Sequence, residues 1–436
     1  MIITTRALLA TGLTLLACAP ATAQAPLQPT RPERPYRGIF ASGVDNSGQS
    51  LTGTATFSGG YDDNLLADAT QRNTFSSGQG GGLGQFSGGL NYAWNKDRGS
   101  VNAGLGTSLR YYPALEEEYF KTYNASIGGV LQVLRKPNVT VHSSASYQPY
   151  SFLSSVFSPQ DAIAVGASSV PEPDFVVLAT QYVTAGGGAE LSHQLSRKVT
   201  FTTSYDYLVT DRQSNGFWRQ DGGASFVVGM TRDLGLRLGY RYTEAHYDDR
   251  LVATHRPDIG LDFLRALSLT RRTSLTFSVG TEATAIRGTT RFRATGDAKV
   301  THEIGRSWTA AGSYQRGTYF AETLSEPVFG DSGSLTLAGL LTRRWQLQAS
   351  AHALVGEMGF GSGRKMDQYR GSVTLSTALN RFMNIGVDYA YYRYLFDSAV
   401  ELEPGVPHEI NRQSIRAHLS LWAPLMNRSR TANASR

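Results

Sequence analysis

Charged side chains recur at alternate positions of polar–apolar stretches in this sequence, and their chemistry is electrostatic. The basic residues at the polar positions are Arg110, Arg237, Arg241, Arg291, Arg293, Lys299, Arg370 and Arg416. The acidic residues of the same parity are Glu190, Asp206, Glu282, Asp297 and Asp388. Eight cations against five anions would form a surface that mildly attracts anions, because charged rings select the ions that approach them. In the plainer interpretation, these groups pair with one another and serve only to hydrate the surface.

Residue patterns for other kinds of chemistry are weak. The glycine run at residues 80–84 has neither a following Gly-Lys-Ser/Thr nor a strand-to-helix context, so it does not predict a phosphate loop. His142, His352 and His418 share the polar parity but lie far apart, and no zinc or calcium spacing occurs. A hydrolase would need a Ser–His pair with an orienting group, and the sequence cannot pair them. We expect no enzyme activity, no metal and no cofactor, and keep a barrel-embedded hydrolase as the weakest alternative.

The elements that carry these residues are strands of alternating polarity. Near the C-terminus, Ile385, Val387 and Tyr389 alternate with Gly386 and Asp388. Successive side chains of a strand point to opposite faces, so each such segment has one apolar and one polar face. The same alternation recurs through most of the sequence.

Short turns that contain arginine separate the strands at nearly regular intervals. The turn arginines are Arg98, Arg135, Arg197, Arg232, Arg272, Arg306, Arg344 and Arg381. Their spacing is 34–40 residues, except for 62 residues between Arg135 and Arg197, where residues 152–181 would form an enlarged loop. Two strands per interval, counted from Leu51 to Trp422, predict eighteen strands. Arg265 falls on the apolar parity, which indicates a bulge or a misplaced strand boundary.

Composition and aromatic placement indicate where such strands reside. The chain has 46 Gly, 22 Tyr and only 17% charged residues, as expected when half of each strand faces lipid and half faces water. Tryptophans lie near the short turns, namely Trp94, Trp308, Trp345 and Trp422, and tyrosines lie near the acid-rich loops, namely Tyr111, Tyr147, Tyr207, Tyr242 and Tyr391. Two aromatic girdles are typical of the two interfaces of a membrane. We predict an all-β, closed antiparallel up-and-down transmembrane barrel in the bacterial outer membrane, with short periplasmic turns and long external loops.

The N-terminal segments predict export. Arg6, an apolar run and Ala21-Thr22-Ala23 predict a signal peptide over residues 1–23, although Cys18 leaves a lipoprotein signal as an alternative. Residues 24–48 are rich in Pro and predict a flexible periplasmic lead-in, with docking of a periplasmic partner as the alternative.

The remaining boundaries and absences complete the expected organisation. The barrel is expected over residues 49–426 and a tail over residues 427–436. After the signal, no apolar run long enough for a spanning helix occurs. Cys18 is the only cysteine, so no disulfide is expected after cleavage. The net charge of +6 comes from scattered arginines, which does not favour nucleic-acid binding.

The predicted first strand ends in a distinctive motif formed by Tyr61, Asp62, Asp63 and Asn64. With the preceding Thr-Phe-Ser-Gly-Gly, this resembles the opening of outer-membrane β-barrel porins that carry a G-Y-D-D-N motif and are often associated with exopolysaccharide systems. The resemblance covers residues 56–65 and implies the fold more firmly than an activity. It implies that the motif lies at the outer rim, in reach of substrate or a cation. The alternative interpretation is a girdle tyrosine followed by an Asx turn.

Three functional hypotheses follow. The first is a channel for hydrophilic, anionic or polysaccharide solutes, linked to exopolysaccharide export, because barrels of about 16–18 strands can enclose an aqueous lumen. The second is a surface-attachment barrel that acts through its loops, especially residues 152–181, which could instead fold inward as a constriction. The third is the hydrolase. Expected partners are outer-membrane lipids and lipopolysaccharide, the barrel-assembly machinery, and polysaccharide or periplasmic export components.

Overall fold

The structure is a computed structural model of the chain. It describes residues 47–65, 80–96, 98–114, 118–132, 137–149, 181–212, 216–231, 234–247, 250–263, 272–286, 289–305, 307–320, 324, 326–359, 364–400, 402 and 407–429. The interpretations of Arg265 and of residues 152–180 therefore lie outside the described residues.

Eighteen β-strands make up the described structure. The first nine are β1 (Ser47–Asp62), β2 (Gly81–Lys96), β3 (Gly99–Tyr112), β4 (Glu118–Gln132), β5 (Pro137–Pro149), β6 (Gln181–Gln194), β7 (Val199–Arg212), β8 (Gly216–Gly229) and β9 (Leu234–Tyr247). The other nine are β10 (Arg250–Phe263), β11 (Thr273–Ile286), β12 (Thr289–Ile304), β13 (Trp308–Tyr319), β14 (Val328–Leu340), β15 (Trp345–Met358), β16 (Lys365–Asn380), β17 (Met383–Phe396) and β18 (Glu409–Ser429).

Each strand pairs antiparallel with the next, and β18 pairs with β1 to close the barrel. Phe57 on β1 thus lies opposite Phe86 on β2 and opposite Leu419 on β18. Closure leaves neither the first nor the last strand as an open sheet edge, which a sheet in hydrocarbon cannot tolerate because its backbone N–H and C=O groups would be unpaired. The predicted fold class and the predicted number of strands are confirmed.

The last strand is longer than the sequence pattern indicated. β18 runs past Trp422 to Ser429, and its partner β1 begins at Ser47 instead of Leu51. The register between them shifts at Pro424, so that Leu425 is skipped in the ladder. Proline has no N–H to donate, which accounts for an irregularity at that point. The shift changes the parity of the strand below Pro424, which obscures its alternation in the sequence.

Side-chain hydrogen bonds shape the short turns. The hydroxyl oxygen of Thr342 accepts from the backbone N–H groups of Arg344 (3.3 Å) and Trp345 (3.1 Å). The carboxamide oxygen of Asn380 accepts from the N–H of Phe382 at 2.8 Å. Such Asx and Ser/Thr turns reverse the chain in few residues, so the arginines between them stay exposed at the turns. Among the described residues, no helix is long and apolar enough to cross a membrane.

The outward faces of the strands form an apolar surface. Large apolar side chains that are strongly exposed there include Leu105, Ile127, Tyr240, Ile259, Phe292, Leu335, Val387 and Ile415. These residues occupy one parity of their strands, and the charged residues singled out in the sequence occupy the other. A closed antiparallel barrel with an apolar exterior is the structure that spans the bacterial outer membrane. The protein is an outer-membrane β-barrel.

Candidate functional site: inner wall and external mouth

All thirteen charged residues proposed to line a lumen lie on the inner parity of their strands. Their strands expose apolar side chains on the opposite parity, as β9 exposes Leu238 beside Arg237 and β18 exposes Ile415 beside Arg416. Five of the cations lie on two strands that have β10 and β11 between them, namely Arg237 and Arg241 on β9 and Arg291, Arg293 and Lys299 on β12. Arg110, Arg370 and Arg416 lie on separate strands, so the predicted cationic surface is concentrated on one part of the wall.

The inner face of β3–β7, here called the open wall, is polar and exposed. Asn102, Asn124 and Ser126 project from it and remain accessible. His142 Nε2 and Asp206 Oδ1 lie 3.3 Å apart on β5 and β7, with 57% and 36% of their side chains exposed. They meet across Gly188 on β6, where a Cβ atom would overlap the Asp206 carboxylate. A glycine between two larger side chains therefore lets them lie flat along the wall.

The inner face of β15–β18, here called the packed wall, has the same alternation but is covered. Asp388 accepts a hydrogen bond from Thr374 Oγ1 at 2.7 Å and lies 2.6 Å from His418 Nδ1. The side chains of Asp388 and His418 are only 12% and 13% exposed. Gly386 provides the space for the His418 ring, which a Cβ would approach to 2.6 Å.

Burial corrects part of the expectation for the lumen residues. Glu282 is 0% exposed, and Arg416 and Asp388 are almost as buried. These three side chains belong to the packing and hydrogen bonding of the wall, so they do not present charge to a solute. The reason is that loops and neighbouring side chains cover parts of the inner face, which strand parity alone cannot show.

The motif at the end of β1 joins the first strand to the last. Asp62 accepts from Arg412 Nε at 2.9 and 2.8 Å and from Nη2 at 2.6 Å. Both side chains are buried, with 1% and 2% exposed. The N–H of Asn64 donates to Asp62 Oδ1 at 3.0 Å, which is an Asx turn. Asp62 is therefore committed to barrel closure, and Tyr61 lies exposed on the outer face as a girdle residue.

The second half of the motif also binds β18. The N–H of Asp63 donates to the Gln413 carbonyl at 3.0 Å, and Asp63 Oδ1 accepts from the Gln413 N–H at 2.6 Å. Asn64 Nδ2 donates to the carbonyl of Asn411 at 2.9 Å. Arg412 was not among the residues singled out from the sequence. The sequence pattern could have indicated Arg412, because it lies four positions before Arg416 on the same parity of the strand.

Three apolar clusters line the inner side of the external mouth. The largest combines inward residues of β14–β18 with loop residues Leu324 and Val400, and includes Leu354, Met358, Met366, Tyr392, Tyr394, Phe396 and Ile410. A second cluster combines Leu65, which follows β1, with Leu83, Tyr112 and Phe120 on β2–β4. The third contains Phe217, Ala245, Tyr247 and Val252 on β8–β10. The described loop residues Leu65, Leu324 and Val400 thus pack against inward residues of the wall.

A second ion pair that sequence reasoning missed lies near this mouth. Arg256 on β10 holds Glu282 on β11 through Nε at 3.1 Å and Nη2 at 2.6 Å. Thr284 and Thr318 also donate to Glu282. A buried carboxylate needs such partners, because an unpaired charge inside a protein is strongly unfavourable.

The hydrolase hypothesis requires a Ser–His pair, and the structure contains one whose side chains approach each other. Ser332 Oγ and His352 Nε2 are 3.3 Å apart on β14 and β15. Nδ1 of the same imidazole is buried, and no described residue offers it a hydrogen-bond partner. An activated serine needs a base that is itself oriented by a third group.

Within the described ranges, no group of three or more His, Cys, Asp or Glu side chains is arranged to hold a metal ion.

Comparisons with known proteins give structural likenesses. No protein-family model and no curated protein sequence matches this chain. OpdQ of Pseudomonas aeruginosa is 10% identical, with a TM-score of 0.44 over 87% of this chain and 98% of its own. OccK7 (OpdD) of the same organism is 11% identical, with a TM-score of 0.44 over 87% and 100%. OccAB4 of Acinetobacter baumannii is 10% identical, with a TM-score of 0.41 over 87% and 99%. The barrel of this chain is established by its own strand pairings.

Proposed function

We propose that this protein is a porin-like channel that lets hydrophilic solutes cross the outer membrane. The observation that supports this most is the open wall, where polar inward side chains such as Asn102, Asn124 and Ser126 remain accessible inside a closed barrel. Barrels of about 16–18 strands are wide enough to hold water in addition to their own inward side chains. An accessible polar interior beside an apolar exterior is the arrangement that a diffusion pathway requires.

The distribution of charge supports a preference for anions. Arg237 and Arg241 on β9 and Lys299 on β12 have inner parity, with β10 and β11 between the two strands, and Arg241 is exposed. Cations that line one side of a pore raise the local concentration of anions and lower that of cations. The buried acids Glu282 and Asp388 are already bonded to neighbouring groups, so they offset this field less than the sequence count indicated.

We extend the proposal to acidic oligosaccharides and to exopolysaccharide export. Amide and hydroxyl groups on the open wall can exchange hydrogen bonds with sugar hydroxyls, and the cations of β9–β12 can attract carboxylates. The resemblance of the β1 motif to porins associated with exopolysaccharide systems supports the same solute class.

The test is single-channel conductance of the refolded protein in planar bilayers, with reversal potentials measured under a salt gradient. Wild type is expected to conduct stably and to favour anions, and an acidic oligosaccharide should block it more than a neutral one of equal length. Arg241→Ala should lower the anion-to-cation permeability ratio by about twofold, since it removes an exposed inner charge.

The matched control is Lys121→Ala, which removes the same charge from the outward face of β4. It should leave the permeability ratio unchanged. A folded barrel without conductance would overturn the channel, and equal ratios for wild type and Arg241→Ala would overturn the role of the cationic wall.

A further inference from the structure

The ladder between β12 and β13 stops before either strand ends. Its last pair at the external side is Gly296 with Arg316. Beyond that point β12 continues in register with β11 as far as Thr289, and β13 continues with β14 as far as Tyr319. In this described part of the chain, the external end of β13 therefore pairs with β14 alone.

Contacts beyond the end of the ladder join faces that a simple barrel keeps apart. Thr318, on the outward parity of β13, donates to Glu282 on the inner face of β11. The guanidinium of Arg293, on the inner face of β12, lies 4.2 Å from the ring centre of Phe329, which has outward parity on β14. An outward-facing side chain of one hairpin can contact an inward-facing side chain of another only where the first hairpin lies on the lumen side of the second. The β13–β14 tip, Gly317–Phe320 with Pro327–Phe329, therefore lies inside β10–β12.

The β13–β14 tip packs against two of the apolar clusters. Tyr319 packs against the apolar cluster of β14–β18. The next residue, Phe320, packs against the cluster of β8–β10, beside residues such as Val252. Tyr319 lies opposite Val328, a member of the first cluster on the same hairpin, so the tip joins its own hairpin to the inner face near β8–β10.

Polar contacts hold the tip from both sides. On one side, Thr318 joins the Arg256–Glu282 pair, and the Arg256 guanidinium lies 3.4 Å from where a Cβ of Gly317 would be. On the other side, Glu326 pairs with Arg364 Nη1 at 3.0 Å. These contacts replace backbone pairs that β13 would form with β12 if the ladder were complete.

We propose that the β13–β14 tip is a gate with two positions, and this inference rests on the proposed channel function. In the inner position, contacts of Glu282 with Thr318 and Arg256 hold the tip inside β10–β12. In the outer position, residues 317–319 of β13 extend the ladder with β12 while they remain paired with β14, so that Thr318 lies opposite Ala294 by extension of the register. The inner position is held by side-chain contacts and the outer position by backbone hydrogen bonds. The tip can therefore adopt one or the other, but not both at once.

Disulfide cross-linking reads the position of the tip without reference to conductance. Produced as residues 24–436, the chain has no cysteine of its own. Because Thr318→Cys itself removes the hydroxyl that donates to Glu282, Ala294→Cys with Thr318→Cys should form a partial fraction of disulfide. Added Glu282→Gln also weakens the contact with Arg256 and should increase that fraction. Ala298→Cys with Tyr314→Cys occupies the intact ladder and should cross-link fully in either background. Complete cross-linking of the 294–318 pair without Glu282→Gln, or no change with it, would overturn the two positions.

Conductance then tests whether the tip is a gate. Oxidation of the 294–318 pair should raise single-channel conductance by about twofold, and reduction should reverse the change, because the disulfide holds the tip away from the lumen side of β10–β12 and a wider pore conducts more. Thr318→Val keeps the Arg256–Glu282 pair and should raise conductance in the same direction, whereas Thr122→Val on β4 should not. If the protein conducts and its conductance does not change when the disulfide forms, the gate alone is overturned. A folded protein that never conducts overturns the channel, while the cross-linking still decides whether the tip has two positions.

Discussion

The open wall of β3–β7 and the packed wall of β15–β18 follow one sequence pattern and differ in what covers them. Each has a His–Asp pair seated over a glycine, His142–Asp206 over Gly188 and His418–Asp388 over Gly386. The first pair is half exposed at 3.3 Å, and the second is buried at 2.6 Å. Alternation places a side chain inside the barrel, whereas tertiary packing decides whether it meets water. The open wall is therefore suited to solutes, and the packed wall to stability.

The largest difference in stability loss between a buried and an exposed ion pair is expected where the packed wall meets β1. Arg412→Ala would leave Asp62 buried without its partner, and removing one member of a buried pair costs about 3–5 kcal/mol. The free energy of unfolding, from urea titration of the barrel in lipid vesicles, would measure this. The matched control is Arg393→Ala, which breaks an exposed pair with Glu409 on neighbouring strands. That change should cost about 0–1 kcal/mol, and equal losses for the two variants would refute the assigned role of Arg412.

An intermediate contrast is expected between inward aliphatic side chains of the two walls. Leu354 is fully buried in the apolar cluster of the packed wall, so Leu354→Ala should cost about 2–5 kcal/mol through lost burial and a cavity. Val130 has inner parity on β4 and is 40% exposed, so Val130→Ala should change stability by no more than about 0.5 kcal/mol. The same urea titration compares them. A large loss for Val130→Ala would mean that the open wall is covered.

The smallest contrast concerns the two His–Asp pairs. His418→Ala leaves the buried Asp388 with fewer hydrogen bonds and should cost about 1–3 kcal/mol. His142→Ala leaves a carboxylate that water can reach, and its effect should stay within about 0.5 kcal/mol. If the two substitutions destabilise the barrel equally, burial does not distinguish the walls at this depth.

Strand number, parity and the location of turns could be predicted from the sequence because they depend on local alternation and turn chemistry. Residues such as Arg237 and Leu238 are neighbours in the chain, so their opposite faces follow directly from strand geometry. The eighteen strands follow from the same repetition, and the register of consecutive strands follows from short turns such as that around Asn380.

Contacts between distant strands could not be predicted in this way. Asp62 and Arg412 are 350 residues apart, and their pairing depends on how eighteen strands close. Glu282 has the same local pattern as Asp297, yet it is buried, because Thr318 and Arg256 reach it from other strands. The overlap of the β13–β14 tip with β12 likewise depends on contacts of Tyr319 and Phe320 with separate clusters.

The Asp62–Arg412 pair also has a consequence for the order in which the barrel assembles. Synthesis and export deliver the N-terminal strand first, so the Asp62 carboxylate exists for nearly the whole period of delivery without its guanidinium partner. A chain that stops before Arg412 can build most hairpins from neighbouring strands, but it presents an unneutralised carboxylate at the seam where its ends should meet. The ion pair can therefore form only after β18 has been delivered, so this closing contact waits for the last strand of the barrel.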